Sequence, residues 1–372
     1  MKIIHIITGL GNGGAENTLY KICKYDNLND HVVISLKKPE KYYSLLKKLG
    51  IRIYCLDFKI YSIVKFIYLI NLLRNLKPDV VQTWLVHGDF IGGIAARLAG
   101  VENIFWNVRY SNLEFGKSKL STIIIINILA KLSYHIPKLI IVVSKSANKT
   151  CKKLGYDNKK LYLINNGYDL TKLKPFKSKK IRSQYNIKEQ IPLIAKVARY
   201  DIKKDHKNLL EALHLINKKD IKFCCVLVGT NIDKNNSILL NQIKKFKLSN
   251  YIKLLGPKKN ISDIMNEIDL LVQSSSYGEG FPNVVAEAMA CGTPCVVTNV
   301  GDAAFIVGKT GWVVPPKNPQ KLALSIEKAL LLIHKKSFKK NMELRLRIKE
   351  NFDIKKMLKK YRIAWTKRSI IV

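Results

Sequence analysis

Acidic residues are scarce in this chain. Only 27 Asp and Glu stand against 65 Lys and Arg, a formal net charge of +38 over 372 residues. A balance of this kind implies attraction to polyanions: nucleic acid, an anionic membrane face or a small phosphorylated substrate. Arginine is also rare, supplying 10 of the 65 cations. The lysine skew accompanies abundant Ile and Asn, as a codon bias toward A/T would produce. Cysteine is sparse and unpaired in pattern. The seven residues Cys23, Cys55, Cys151, Cys224, Cys225, Cys291 and Cys295 are odd in number and form no Cys-x-x-Cys. That argues against a zinc module or a disulfide framework and fits a reducing cytosol. With 20 Gly and 11 Pro a collagen-like chain is excluded, and a hydrophobic fraction of 47% excludes disorder as the main state.

Long apolar runs are missing as well. The two greasiest stretches are 60–76, which contains Lys65 and Arg74, and 121–143, broken by Lys131, His135, Pro137 and Lys138. Neither reaches the ~18 uninterrupted apolar residues of a spanning helix. Each reads as a core-facing helix, with an amphipathic helix lying on a bilayer surface as the sharper alternative. The N-terminus MKIIHIITGLGNGGAE turns Gly-rich after a few apolar residues, so it reads as a buried strand and turn rather than a signal peptide.

What is present is a strand–turn–helix alternation. Short Ile/Val-rich runs occur at 3–8, 31–36, 80–83, 139–144 and 161–164, with amphipathic stretches between them. Continuous apolar strands separated by helices predict parallel sheets covered on both faces. Residues 167–190 are polar and basic, with Pro175 in the middle, and read as an interdomain linker. The alternation restarts at 192–200 and continues through 223–229, 251–256, 269–275 and 294–298. The expectation is therefore two doubly wound α/β domains. Two helices are predicted near 335–350 and 353–368. From Lys335 to Arg368 there are 14 Lys/Arg against Glu343, Glu350 and Asp353. Such a run is commonly a solvated helix face, and a contact with anionic lipid is the alternative.

Gly9, Gly11 and Gly14 form Gly-x-Gly-x-x-Gly between a strand and a helix. Without side chains the backbone at Gly13 and Gly14 can approach an anion, and the helix N-terminus adds positive potential. A dinucleotide site would want an acid after the second strand. Here that strand runs into Leu36, Lys37 and Lys38, which argues against NAD.

The second half carries a denser constellation. Arg199 and Lys204 follow the strand predicted at 192–200. The C-terminal end of a strand is where open α/β sheets bind ligands, and the two cations suit a diphosphate. The alternative for Arg199 is a salt bridge to a neighbouring loop carboxylate. Downstream lies SSSYGEGFPNVVAEAMACGTPCVV, residues 274–297. Gly278 and Gly280 permit a tight turn, Pro282 suits a first helical turn, and a helix is predicted over 283–291. Glu279 lies in the turn and Glu287 a little over one turn into the helix. Backbone N–H groups near Phe281, Asn283 and Val284 can take a phosphate, and the two carboxylates can accept from sugar hydroxyls. Glycosidases also use two carboxylates, but need no phosphate cradle.

Glu279-x7-Glu287 within residues 277–297 resembles the signature of the retaining GT-B glycosyltransferases of glycosyltransferase family 4. So do VARYDIKKDHKNLLEAL (197–213), GLGNGGAE (9–16), WLVHGDFIGGIAARLAG (84–100), VSKSANKTCKKLGY (143–156) and INNGYD (164–169). The resemblance covers most of the chain in the family's order. It implies a GT-B, α/β fold: two Rossmann-like doubly wound domains facing across a cleft. The N-terminal acceptor-binding domain would span 1–170, a linker 171–190, and the C-terminal nucleotide-sugar domain 191–352. The last helix, about 353–372, would pack back on the first domain. Carried over by position, Arg199 and Lys204 would hold the donor diphosphate and Glu287 the ribose. Glu279 would take the sugar hydroxyls. Gly256, Gly280, Phe281, Pro282, Asn283 and Val284 would complete the nucleotide-sugar site, with Gly13 and Gly14 under the phosphate. His87 and Arg109 would line the acceptor side. Where many relatives read Pro-Asn-Gly-x-Asp, this chain reads Asn165-Asn166-Gly167-Tyr168-Asp169, which should loosen that loop slightly.

The implied function is retaining, metal-independent transfer of a hexose or N-acetylhexosamine. The donor would be a nucleotide sugar, UDP-linked by preference, and no other cofactor is implied. The acceptor would be a glycan or lipid-linked oligosaccharide in lipopolysaccharide or capsule assembly, at the inner face of a membrane with an anionic surface. Catalysis would rest on Glu279, Lys204, Arg199 and His87, the cations stabilising the leaving diphosphate. No Asp-x-Asp occurs in the chain, in keeping with metal independence. Two rivals remain. One is a non-enzymatic nucleic-acid-binding protein, against which stand the scattered basic residues and the absence of a recognisable module; no specific nucleic acid is expected. The other is a GT-B-shaped epimerase or an inverting transferase, which the Glu279–Glu287 spacing argues against.

Overall fold

The computed structural model describes residues 1–58, 62–109, 120–335 and 341–366, with the side chains of 334 and 335 left aside. It contains two compact units. The first comprises Met1–Gly167 and the chain from Lys355; the second is Tyr168–Ile354.

The first unit is built on a seven-stranded parallel sheet. Its strands are β1 (Lys2–Ile7), β2 (Asp30–Ser35), β3 (Arg52–Cys55), β4 (Val80–Trp84), β5 (Ile104–Val108), β6 (Leu139–Val142) and β7 (Leu161–Leu163), in the order β3-β2-β1-β4-β5-β6-β7. Continuous apolar runs suit such strands because helices cover both faces. Ile3, Ile4, Ile6 and Ile7 are all fully buried, on alternate sides of one strand. The expected runs are present with bounds that differ by one or two residues. β3 and β5 were not anticipated: β3 is a short, half-buried edge strand, and Asn107 interrupts the apolar run of β5.

The helix Ile354–Thr366 completes this unit from its second residue on. Tyr361 and Trp365 are buried in it, and Trp365 Nε1 donates to Gln82 Oε1 at 3.1 Å. Arg362 pairs with the buried Asp26 at 2.7 Å. Asp26 anchors a chain of buried rings. Trp84 Nε1 donates to His5 Nδ1 (3.2 Å), which leaves the proton of neutral His5 on Nε2, facing His31 Nδ1 at 3.0 Å. His31 Nε2 then donates to Asp26 at 3.2 Å. Each hydrogen bond in the series dictates the next tautomer. Of the tail expected at 353–372, residues 367–372 lie outside the described residues.

The second unit has a six-stranded parallel sheet. Its strands are β8 (Leu193–Val197), β9 (Cys224–Val228), β10 (Ile252–Leu254), β11 (Leu270–Gln273), β12 (Cys295–Thr298) and β13 (Trp312–Val314), in the order β10-β9-β8-β11-β12-β13. Its core joins Ile194, Leu227, Leu270 and Val296 of the sheet to Leu209, Leu213 and Ile326 of the covering helices. The stretch 171–190, read as an interdomain linker, falls within this unit. It carries the helix Lys180–Gln184 and is bound into this unit by polar contacts. Arg182 pairs with Asp269 at 2.7 Å, its amide donates to Glu267 at 2.6 Å, and Asn266 Oδ1 accepts from Phe176 N at 2.8 Å. Polar anchoring explains why a segment poor in apolar runs is nevertheless folded. The helices expected at 335–350 and 353–368 are Met342–Phe352 and Ile354–Thr366; residues 336–340 fall outside the described residues.

Candidate functional site

In an open α/β sheet the ligand crevice lies beyond the strand C-termini where strand order reverses. In the second sheet that point is between β8 and β11. The loop after β8 carries Arg199 and Lys204; the loop after β11 carries Ser274, Ser275 and Glu279. Residues 75 apart in sequence thus meet. Lys204 Nζ lies 2.5 Å from Glu279 Oε1, and the Ser275 hydroxyl donates to the same oxygen at 2.6 Å.

Local sequence shapes both loops. Asp201 caps the 3-10 turn Ile202–Lys204 by accepting from Lys203 N at 3.0 Å. Its other oxygen takes the Arg199 guanidinium at 2.9 Å. The plain alternative for Arg199, a loop salt bridge, is therefore made, on a side chain 63% exposed. Asp205 adopts a left-handed conformation and caps the helix His206–Asn217. The Ser276 amide donates to Lys203 O at 2.9 Å, lacing the two loops together. Gly278, at φ +74°, makes the turn into Glu279.

Glu279 is buried, which opposes its ionisation, but Lys204, Ser275 and Lys196 outweigh this and hold its carboxyl below the usual range. The carboxylate is charged at neutral pH and ready to accept from hydroxyls. Beyond it, the helix Asn283–Ala290 begins behind Pro282 without a capping side chain. Val285 N donates to Pro282 O at 3.1 Å, and the amides of this first turn stand at the positive end of the helix dipole. Glu287 sits on this helix one turn further, half-buried. The side chains of Phe281 and Asn283 act as anchors: Phe281 stacks on Tyr168, and the Tyr168 hydroxyl donates to Asn283 Oδ1 at 2.6 Å. Gly256, at φ +64°, donates to Ile232 O and accepts from Gly229 N, each at 2.9 Å, closing the rim after β10.

In the first sheet the order reverses between β1 and β4. The glycine loop follows β1, and His87 follows β4 at the end of the short helix Leu85–His87. Gly13 precedes the helix Gly14–Tyr25 with no capping side chain. Glu16 occupies the space a Cβ on Gly13 would need, and Glu40 does the same at Gly9. The Glu16 carboxylate therefore lies beside the Gly13 backbone that an anion would approach. Burial pushes the Glu16 carboxyl up, with Glu40 adding to the effect. Leu85 is held at φ +68°, an uncommon conformation for a bulky residue, immediately before His87. The π-helical turn Gly88–Gly92 then lies against β1, where a Cβ on Gly88 would meet Ile6 O at 3.0 Å. Burial, with Lys37 nearby, lowers the His87 pKa, so its ring is neutral at pH 7.

Arg109 is an internal clamp in this structure. It donates to Asn107 Oδ1 (2.8 Å), Asn166 Oδ1 (2.6 Å) and the Tyr361 hydroxyl (3.0 Å), and lies over the Trp84 ring. Asn165, which replaces the proline of related loops, donates to Val143 O at 2.9 Å and supplies its own tether. Among the described residues, His5, Cys23 and His31 form a cluster of metal-ligand types. Both rings are already engaged in the hydrogen-bond series above, and burial pushes the Cys23 thiol up.

Sequence reasoning missed three residues of the second site. Lys196 is buried in β8 beneath Lys204. Ser275 holds Glu279. Gly301, at φ +61°, lies where any Cβ would collide with the Glu279 carbonyl. A signal existed for the first: a lone cation inside the apolar strand LIAKV.

Two family models match the chain: "Glycosyltransferase Family 4" over residues 12–172 and "Glycosyl transferases group 1" over 177–351. The N,N'-diacetylbacillosaminyl-diphospho-undecaprenol alpha-1,3-N-acetylgalactosaminyltransferase of Campylobacter jejuni is 28% identical over 332 residues, 84% of each chain. An Escherichia coli UDP-Gal:alpha-D-GlcNAc-diphosphoundecaprenol alpha-1,3-galactosyltransferase is 28% identical over 63% of this chain and 61% of its own length. Anabaena HepE, solved in complex with UDP, superposes with a TM-score of 0.83 at 21% identity, covering 97% of this chain and 98% of that one. With its two Rossmann-like parallel sheets and a matching domain on each half, the chain belongs to the GT-B glycosyltransferases of the family 4 type.

Proposed function

We propose that the protein transfers a hexose or N-acetylhexosamine from a UDP-sugar to a lipid-linked or glycan acceptor in surface-polysaccharide assembly, with retention of configuration and without a metal. The observation that carries this reading is the Lys204–Glu279 pair at the β8/β11 switch point, with a helix N-terminus and Glu287 beside it. On donor binding the pair divides its work. The sugar hydroxyls take Glu279, and the diphosphate takes Lys204 together with Arg199 and the amides of Phe281–Val284. Gly280 and Pro282 shape that turn. Glu287 receives the ribose hydroxyls, and Gly256 borders the nucleotide.

The chemistry is governed by the leaving group. As the anomeric C–O bond breaks, negative charge grows on the diphosphate, and fixed positive groups stabilise it more in the transition state than in the ground state. Lys204, Arg199 and the helix end supply that charge. Glu279, held ionised, positions the sugar so that the acceptor hydroxyl arrives on the face that the nucleotide leaves and gives its proton to an oxygen of the departing diphosphate. Neutral His87 accepts a hydrogen bond from the acceptor, and the turn at Gly13 and Gly14 offers backbone amides at the start of its own helix. Arg109 supports the acceptor side by bracing Asn166 and Tyr361. The relatives named for UDP-Gal and for diphospho-undecaprenol glycans, and the HepE complex with UDP-glucose, support the choice of donor and acceptor classes. No helix among the described residues is long and apolar enough to cross a membrane. An apolar face is nevertheless exposed at Ile63, Val64, Ile67 and Tyr68, and at Leu120, Ile124 and Ile128 on a second helix of the same unit. Lys65, Arg74 and Lys131 stand on those helices, a pattern suited to an anionic bilayer surface.

The test is a thermal-shift screen over UDP-, GDP- and ADP-sugars, followed by anomer analysis of the product by NMR. At 100 times Kd the correct donor adds ~2.7 kcal/mol. A UDP-sugar should stand out, and its sugar should appear in the product with the anomeric configuration kept. An inverted product, or a turnover abolished by chelator, would sink the reading.

A further inference from the structure

β8 reads Leu-Ile-Ala-Lys-Val, and its first four residues are buried. Lys196 is 2% exposed, one of the largest fully buried side chains of the protein. An apolar residue would satisfy this position in the sheet at no electrostatic cost, whereas a buried ammonium is expensive unless it is hydrogen-bonded and balanced by charge. Lys196 has both. Its Nζ donates to the backbone carbonyl of Lys204 at 2.6 Å and to Ser274 Oγ at 2.7 Å. Ser274 Oγ in turn donates to Asp205 O at 2.9 Å. One buried amino group thus ties the loop that ends β8 to the end of β11, the two segments that carry Lys204 and Glu279.

We propose that Lys196 is a positioning residue of the donor site: from inside the sheet it fixes Lys204 relative to Glu279 and so sets the register in which a nucleoside diphosphate sugar is gripped. The inference rests on the donor reading given above. Lys196 reaches the diphosphate only through Lys204, and it is not itself a catalytic group.

The charges around Lys196 give the clamp a ligand-dependent strength. Burial and the Lys204 ammonium push its pKa down to about 7, while Glu279 and Asp205 pull the other way. The Cys225 thiol behind it is kept protonated by burial, and His206 is held neutral by burial and by the two lysines. Near pH 8 the amine of the free protein is therefore mostly neutral. A bound diphosphate brings negative charge to Lys204, offsets the repulsion and raises the affinity of Lys196 for a proton. The sign follows from linkage. Because the complex binds more protons than the free protein, affinity rises as pH falls toward the free-protein value of about 7, and levels off below it.

The experiment is calorimetric titration of UDP into the full chain and into Lys196→Met, Lys196→Gln and Lys196→Arg. It is run from pH 7 to 9 in buffers of different ionisation enthalpy, with a thermal melt of each variant. Wild type should take up a fraction of a proton on binding at pH 8 and bind more tightly at lower pH. Lys196→Met, folded by its melt, should bind UDP roughly tenfold or more weakly, with a flat pH profile. Lys196→Gln keeps the hydrogen-bonding group and should melt like wild type, yet show no proton uptake. Lys196→Arg, always charged, should recover affinity without the pH dependence. A folded Lys196→Met or Lys196→Gln with wild-type affinity and pH profile overturns the inference alone. Wild-type protein that binds neither UDP nor any UDP-sugar overturns the donor reading, and this inference with it.

Discussion

Replacing Lys204 by Ala removes two things at once, and a second substitution separates them. The ammonium is the partner of Glu279 at 2.5 Å, with the two side chains 27% and 12% exposed. Losing a hydrogen bond to a charged group in so sheltered a place costs about 1.5–3 kcal/mol. At roughly 2–4 °C per kcal/mol, the melting temperature should fall by about 3–12 °C. The other loss is catalytic. A preorganised cation facing the leaving diphosphate is worth ~10²–10³ in turnover. In Lys204→Ala/Glu279→Gln the buried carboxylate no longer lacks a counter-charge, so most of the thermal loss should be restored. Turnover should stay at the level of Lys204→Ala or below, because the amide supplies no positive charge. The two residues touch, so their effects on stability should be strongly non-additive. Melting curves and steady-state rates with a UDP-sugar on the four proteins of the cycle suffice. Should turnover return together with the melting temperature, Lys204 would be a structural partner of Glu279 and the leaving-group argument would be wrong.

Two further outcomes are expected, both in the first unit. Burial opposes ionisation of Asp26, but His31, Asn29 and Arg362 outweigh it and hold its carboxyl far below the ordinary value of ~3.9. Its contribution to stability is thus complete above that pH and is lost as pH falls below it. Asp26→Asn should lower the urea midpoint at pH 7 and flatten its decline below pH ~4; an unchanged acid limb would show that the network does not govern acid sensitivity. Ile124→Lys combined with Leu120→Lys places two charges on an exposed apolar stripe, at side chains 58% and 77% exposed. The change should weaken sedimentation with phosphatidylglycerol vesicles while leaving UDP affinity intact. Equal vesicle binding by wild type and variant would count against that face as the membrane contact.

Much of this architecture can be read from local pattern. The runs at β1, β2, β6, β8, β9, β11 and β12 are visible because a strand covered on both faces is predominantly apolar. Edge strands lack that constraint, so β3 and β13, of four and three residues, left no clear trace. The segment 171–190, read as a linker, carries little apolar signal for a related reason. It holds to its unit through Arg182, Phe176 N and the polar side chains of Asn266, Glu267 and Asp269, and such contacts produce no hydrophobic periodicity. At the candidate site, Lys204 and Glu279 were both picked out from the loops that follow strand ends. Their direct pairing was not, and neither was the occupation of the glycine loop by Glu16 and Glu40.

From the chain alone came the class of fold, the two turns that follow strand ends, and the residue types that suit a pyrophosphate-linked sugar. All of these are set by near neighbours in sequence: apolar runs, glycines at turns, an acid one turn into a helix. Which charge meets which was decided only when β11 took its place beside β8. That placement put Ser274 against Lys196, and Glu279 against Lys204, across more than seventy residues of chain. Electrostatic energy depends on distance and burial, and neither exists until the sheet has closed.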